Sequence, residues 1–124
     1  MSIIRRIQTT ARMSQAVIAP TSGIVYLAGQ VATNRASGTG AQTAEVLSKI
    51  DALLAQCGSA KENLLSAQIW LSDIQDFSEM NAVWDAWVPS GQAPVRACVQ
   101  SALAKPDIRV EIQVVAWCAS ILPD

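Results

Sequence analysis

The chain contains no histidine. That absence removes the side chain that titrates nearest neutral pH, and with it every Ser-His-Asp or Cys-His arrangement. Acid–base chemistry on this sequence must fall to carboxylates, thiols, backbone groups or water. Cysteine is sparse: Cys57, Cys98 and Cys118 are odd in number, widely spaced and free of any CxxC pair. Without clustered thiolates, imidazoles or carboxylates, no metal site is expected, and no cofactor. Such thiols suit a reducing compartment, so a cytoplasmic location is expected. Charged residues make up only 15% of the chain, and the net charge is −1. That balance speaks against a protein that tracks nucleic-acid phosphates. No apolar run reaches the length of a membrane-crossing helix, so no membrane partner is expected. The start, "MSIIRRIQTT", lacks the apolar core of a signal peptide.

What is present is apolar surface. Apolar residues are 51% of 124, a length that suits one domain, residues 1–124. So small a chain leaves much of its surface exposed. The apolar surplus therefore predicts an interface with further copies.

Short strand-like pieces open the chain at Ile3 to Ile7, Ala16 to Ala19 and Gly23 to Ala28, with "PTSG" as a hairpin turn. A loop, Thr33 to Gly40, precedes a helix, "AQTAEVLSKIDALLAQCG". Its stripe is Ala44, Leu47, Ile50, Leu54 and Cys57, with Glu45 and Lys49 paired on another face. Thr39 with Gln42 has the form of a capping box. Leu64 to Asp73 reads as a central strand, apolar on both faces. A second helix, "DFSEMNAVWDAWV", carries Asp76 and Glu79 as a capping box and a stripe of Phe77, Met80, Val83, Trp84 and Trp87. Two strands follow, Pro94 to Gln100 and Ile108 to Cys118. The order is β-β-β-α-β-α-β-β, with two helices covering one face of the sheet.

Period two divides the last two strands into faces. Val95, Ala97 and Val99 are expected against the helices, as are Val110, Ile112, Val114 and Ala116. Arg96, Cys98 and Gln100 would then share the helix-free side with Glu111. If the strands are adjacent, a guanidinium and a carboxylate stand near each other at a subunit junction. Two readings follow. Arg96 grips a ligand's carboxylate through two parallel hydrogen bonds, or Arg96 and Glu111 form a structural cross-strand pair.

The segments "YLAGQVA", "DFSEMNAVWDAW", "PVRACV" and "VEIQVVA" resemble the RidA (YjgF) family of enamine/imine deaminases. The likeness runs in order and spacing from about Arg12 onward, and the Pro-x-Arg-x-Cys-Val and Val-Glu-Ile segments are its most specific parts. It implies an α+β, chorismate-mutase-like fold with a mixed sheet, assembled as a homotrimer with clefts between subunits. It implies hydrolysis of 2-imino acids, tautomers of 2-enamino acids, to 2-keto acids and ammonia, without metal or cofactor. Matched residue by residue, Arg96 binds the substrate carboxylate, Cys98 helps orient the imine through its backbone, Glu111 holds the attacking water, and Gly29 lines the cleft. Met13 stands where the best-known members carry a tyrosine, Ala28 where they carry a serine, and Ala97 where a hydroxyl residue follows the arginine. A shift toward more apolar substrates is expected from these losses.

Other residues are read more plainly. Cys57 and Cys118 belong to the core, and Cys98 is a buried thiol with no histidine to activate it. Trp84 and Trp87 are helix packing, and Asn81 makes a structural hydrogen bond. Gln15 and Gln30 are structural more than cleft-lining, and Arg5 and Arg6 are solvated edge charges. Competing functions are a non-catalytic binder of keto acids, which Arg96 would serve equally, and a ribonuclease or translation inhibitor, which the charge balance disfavours. Chorismate mutase activity rests on fold analogy alone.

Overall fold

The structure, a computed structural model, describes residues 3–118. Its elements are β1 (Arg5–Thr9), β2 (Ser14–Ile18), β3 (Ile24–Leu27), β4 (Gln30–Val31), α1 (Thr39–Gln56), β5 (Leu64–Leu71), α2 (Phe77–Trp87), β6 (Val95–Gln100) and β7 (Val110–Trp117). The expected element order stands, with one refinement: β4 continues the line of β3 along β7. The strands form one sheet in the order β1-β2-β3-β7-β5-β6. Only β5 and β6 are parallel, and α2 is the crossover that a parallel pair needs. The sheet is mixed and the fold is α+β.

Both helices lie on one face. From α1, Val46, Leu47, Ile50, Leu53, Leu54 and Cys57 are buried at three- and four-residue spacing. They meet Val110, Ile112, Val114 and Ala116 of β7 and Ala67, Ile69 and Leu71 of β5. Fully buried side chains such as Ile50, Ile69 and Ile112 each contribute about 1.5–3 kcal/mol. Ala44 is exposed, and the core-facing stripe of α1 takes in Thr43 and Val46 instead. Thr43 tolerates that place because its hydroxyl donates to the Thr39 carbonyl, at 2.7 Å. Gly58, with φ of +73°, ends the helix, and Ser59 N–H reaches back to the Leu54 carbonyl.

Neither expected capping box forms. Two acidic residues at the start of α2, Asp76 just before it and Glu79 in its first turn, reach instead to the start of α1: the Thr39 hydroxyl donates to Asp76 Oδ2 at 2.7 Å, and Gly40 N–H donates to Glu79 Oε2 at 2.6 Å. Negative charge at a helix N-terminus is favourable wherever it comes from, so one helix caps the other. Glu45 pairs with Lys49 as expected and also accepts the amides of Thr33 and Asn34. Those two amides, Thr33 first, hold its carboxyl below the ordinary value of 4.5. A depressed pKa means this tie is full above pH 4.5 and fades as pH falls through the lowered value.

Gln42 is fully buried and joins three segments. Its amide nitrogen donates to the carbonyls of Ser37 and Asp107, and its Oε1 accepts Arg109 N–H at 2.9 Å. One side chain thereby holds the loop before α1 and the entry to β7 against the helix. Gln42→Met keeps the volume but leaves those buried partners unpaired, at about 1–3 kcal/mol. Urea denaturation at fixed protein concentration should show a lower midpoint with an unchanged slope; an unchanged midpoint would show the three segments to be held without it.

Candidate active site

The turn from β3 to β4 builds the first half of the site. From Tyr26 to Gln30 the line takes four steps, while the residues opposite, Val115 to Ile112, take three. The extra residue makes a β-bulge at Ala28–Gly29, a device that re-aims backbone and side chains. Gln30 secures it, its amide donating to the Ala28 carbonyl at 3.1 Å and to Gln15 Oε1 at 2.8 Å. Glu111, opposite Val31, folds its carboxylate over Gly29. A Cβ at position 29 would overlap Glu111 Oε2, so only glycine permits this approach. The Gly29 backbone and the Glu111 carboxylate thus share one spot on the helix-free face.

The second half lies across the sheet. Arg96 is not on the helix-free side with Glu111. It stands opposite Ala67, whose side chain is buried under the helices, and its guanidinium lies over two rings of α2, 5.3 Å from the Trp84 centroid and 5.9 Å from that of Phe77. Nor are the two strands adjacent, since β5 runs between β6 and β7. The expectation failed because it assigned the apolar alternation of β6 to the helices. Here Val95, 74% exposed, and Val99, 47% exposed, face the open side. That face is itself apolar, so polarity does not tell the two sides of β6 apart. A structural Arg96–Glu111 pair within one chain is excluded by the same geometry. Among the described residues Arg96 pairs with no carboxylate.

Helical spacing places Asn81 between Phe77 and Trp84 on the same stripe. Its Oδ1 is buried and has no hydrogen-bond partner among the described residues, so the expected structural bond is absent. A half-buried guanidinium on an aromatic bed, with no carboxylate partner among the described residues, can take the carboxylate of a small ligand. Cys98 follows Arg96 on this face and packs against the core. The other expected residues lie elsewhere: Met13 is exposed in the turn before β2, and Ala97 points to the open face. There it borders a hollow of about 350 Å³ that also takes in Gln68, Gln113 and Val115. Trp84 and Phe77 were legible only as core; their i, i+7 spacing around Asn81 was the available signal.

Burial pushes the Cys98 thiol up, against a smaller downward pull from Arg96. The thiol is therefore protonated at neutral pH and is no ready nucleophile. Iodoacetamide labelling followed by peptide mapping should find Cys98 slower than free cysteine at pH 7.5 and accelerating above pH 9. Labelling faster than free cysteine at pH 7.5 would mean that Arg96 activates it.

The comparisons agree with this architecture. Residues 3–118 match the family described as Endoribonuclease L-PSP. The chain is 45% identical to the RutC family protein YoaB of Escherichia coli, across 94% of this chain and 98% of that one. It is 41% identical to a RutC family protein of Haemophilus ducreyi, across 92% and 96%. Among solved structures, a YjgF family member from Neisseria meningitidis superposes with a TM-score of 0.89 at 48% identity, covering 96% of this chain and 98% of its own. With the mixed sheet and both helices on one face, these matches establish that the chain belongs to the RidA/YjgF/RutC family.

Proposed function

We propose that the protein hydrolyses reactive 2-imino acids, tautomers of 2-enamino acids, to 2-keto acids and ammonia, in clefts shared between the subunits of a homotrimer. The observation that carries this reading is Arg96: a guanidinium set on Trp84 and Phe77, without a carboxylate partner among the described residues. A 2-imino acid carries a carboxylate for that guanidinium, two residues from Cys98 on the same face of β6. The helix-free face, with Tyr26, Val95, Val99 and Trp117 exposed, is the surface that further copies would cover. Assembly lets the edge strand β6 of one copy meet the Gly29–Glu111 corner of the next.

In that cleft Arg96 and the Cys98 backbone hold the imino acid. Glu111 of the neighbouring copy orients a water and accepts its proton as the oxygen adds to the imine carbon. The nitrogen of the tetrahedral adduct takes that proton back from Glu111 and then the hydroxyl's own proton by the same route, so that it leaves as ammonia and the carbonyl forms. The imine carbon is already electrophilic, so positioning supplies much of the rate, with proton transfer by Glu111 adding to it. No histidine is required. Met13, Ala28 and Ala97 carry no hydroxyl where the best-known members have one, which favours substrates with apolar side chains.

A non-catalytic keto-acid binder would use the same Arg96, and the loss of those hydroxyls favours it; turnover separates the two. Imino acids generated in situ by an amino-acid oxidase should release ammonia faster when this protein is added, and EDTA should not slow it. Arg96→Lys keeps the charge but not the planar fork. It should fold normally and lose about 1.5–3 kcal/mol of charge-assisted bonding, or roughly 10- to 100-fold in rate. Pyruvate binding by the wild type with no gain in ammonia release would leave the binder; an unchanged rate for folded Arg96→Lys would remove the guanidinium from the mechanism.

A further inference from the structure

Behind the bulge at Ala28–Gly29, and away from Arg96, a second concavity of about 360 Å³ opens between the sheet's β1–β2 corner and α1. Four carboxamides line it, those of Gln8, Gln15, Gln30 and Gln56, over a floor of Ala52 and Leu53. They are joined in two pairs: Gln30 Nε2 donates to Gln15 Oε1 at 2.8 Å, and Gln8 Nε2 donates to Gln56 Oε1 at 3.1 Å. Pairing uses one end of each amide. Gln30, only 8% exposed, gives its second N–H to the Ala28 carbonyl. Its Oε1 therefore accepts nothing among the described residues, yet it is not sealed in the core, so it faces the opening. Gln15 Nε2 and Gln56 Nε2 remain as donors, and Gln8 Oε1 as a second acceptor.

The geometry of Gln8 is unusual. The β1–β2 ladder pairs Ile7 with Ala16 and Thr9 with Ser14 but skips Gln8, whose φ is +52°. A non-glycine residue in the left-handed region is costly to hold, and such residues gather at ligand clamps. Here that conformation accompanies the reach of Gln8 to Gln56 across the concavity. Charge decides the class of ligand. Lys49 also lines the space, but its ammonium is engaged by the Val31 carbonyl, the Thr33 hydroxyl and Glu45, so among the described lining residues no free cation remains for an anion.

We infer that this concavity binds a small neutral molecule through a cis-amide edge, an N–H beside a C=O as in a cyclic imide, lactam or ureide. Its N–H meets Gln30 Oε1, its carbonyl meets Gln56 Nε2, and its apolar side rests on Ala52 and Leu53. A carboxamide lining is suited to this edge because each amide presents a donor and an acceptor at fixed separation. The site is independent of the carboxylate receptor at Arg96, and its test does not use turnover.

The test is NMR of the full-length ¹⁵N-labelled protein, following the glutamine side-chain amide signals. Three probes are added separately: succinimide, N-methylsuccinimide, which lacks the donor, and acetate. Succinimide should move the signals of Gln15, Gln30 and Gln56 saturably. N-methylsuccinimide should bind at least tenfold more weakly, and acetate should leave these signals in place. Gln56→Leu changes an exposed helical position and should keep the fold while weakening succinimide at least fivefold. No saturable shift, equal binding of the two imides, or undiminished binding by Gln56→Leu would overturn the inference.

Discussion

Everything about the candidate site follows from one constraint: side chains alternate across a strand, and both helices lie on one side of the sheet. Arg96 and Cys98 fall on the helical side of β6, while Glu111 falls on the open side of β7, with β5 between them. A single chain holds two half-sites back to back. The Arg96 guanidinium rests on aromatic rings that α2 supplies. The Glu111 carboxylate lies over the bulge at Gly29, which the β3–β4 line supplies. Assembly is therefore part of the proposed chemistry, because another copy is the only source of the missing half.

Polar side chains, not caps within one helix, set these elements. Gln42 ties two loops to α1, Asp76 and Glu79 of α2 hold the start of α1, and Gln30 fixes the bulge. The bonds of Gln42 to Asp107 and Arg109, and those of Thr39 and Gly40 to Asp76 and Glu79, join segments distant in sequence and fix backbone that apolar packing alone would leave free to slide. Buried amides serve well here because one side chain satisfies donors and acceptors together.

The fold was largely legible from periodicity. The α1 stripe, the apolar run of β5 and the alternation of β7 each signalled their element, and the Pro-x-Arg-x-Cys-Val segment signalled the family. The face of Arg96 was not legible. Burial preference assigns a strand's apolar side inward, but β6 is an edge strand whose open face is also apolar, and an aromatic bed can hold a guanidinium under a helix. The caps were misread for a related reason: a serviceable acidic residue at a helix start says nothing of which helix it will serve. The carboxamide-lined concavity was invisible because Gln8, Gln15, Gln30 and Gln56 are scattered in sequence and come together only through the β1–β2 hairpin, the bulge and α1.

The division of the site between copies is tested most directly by mixing two inactive variants. Arg96→Ala retains Glu111, and Glu111→Gln retains Arg96, so neither homotrimer holds a complete cleft. Co-expressed in equal amounts, random assembly joins an intact Arg96 to an intact Glu111 from the neighbouring copy in about a quarter of the clefts. The account predicts that ammonia release from 2-imino acids recovers to about that fraction of the wild-type rate. A mixture no more active than its two components would place both groups in one chain's cleft and contradict the account.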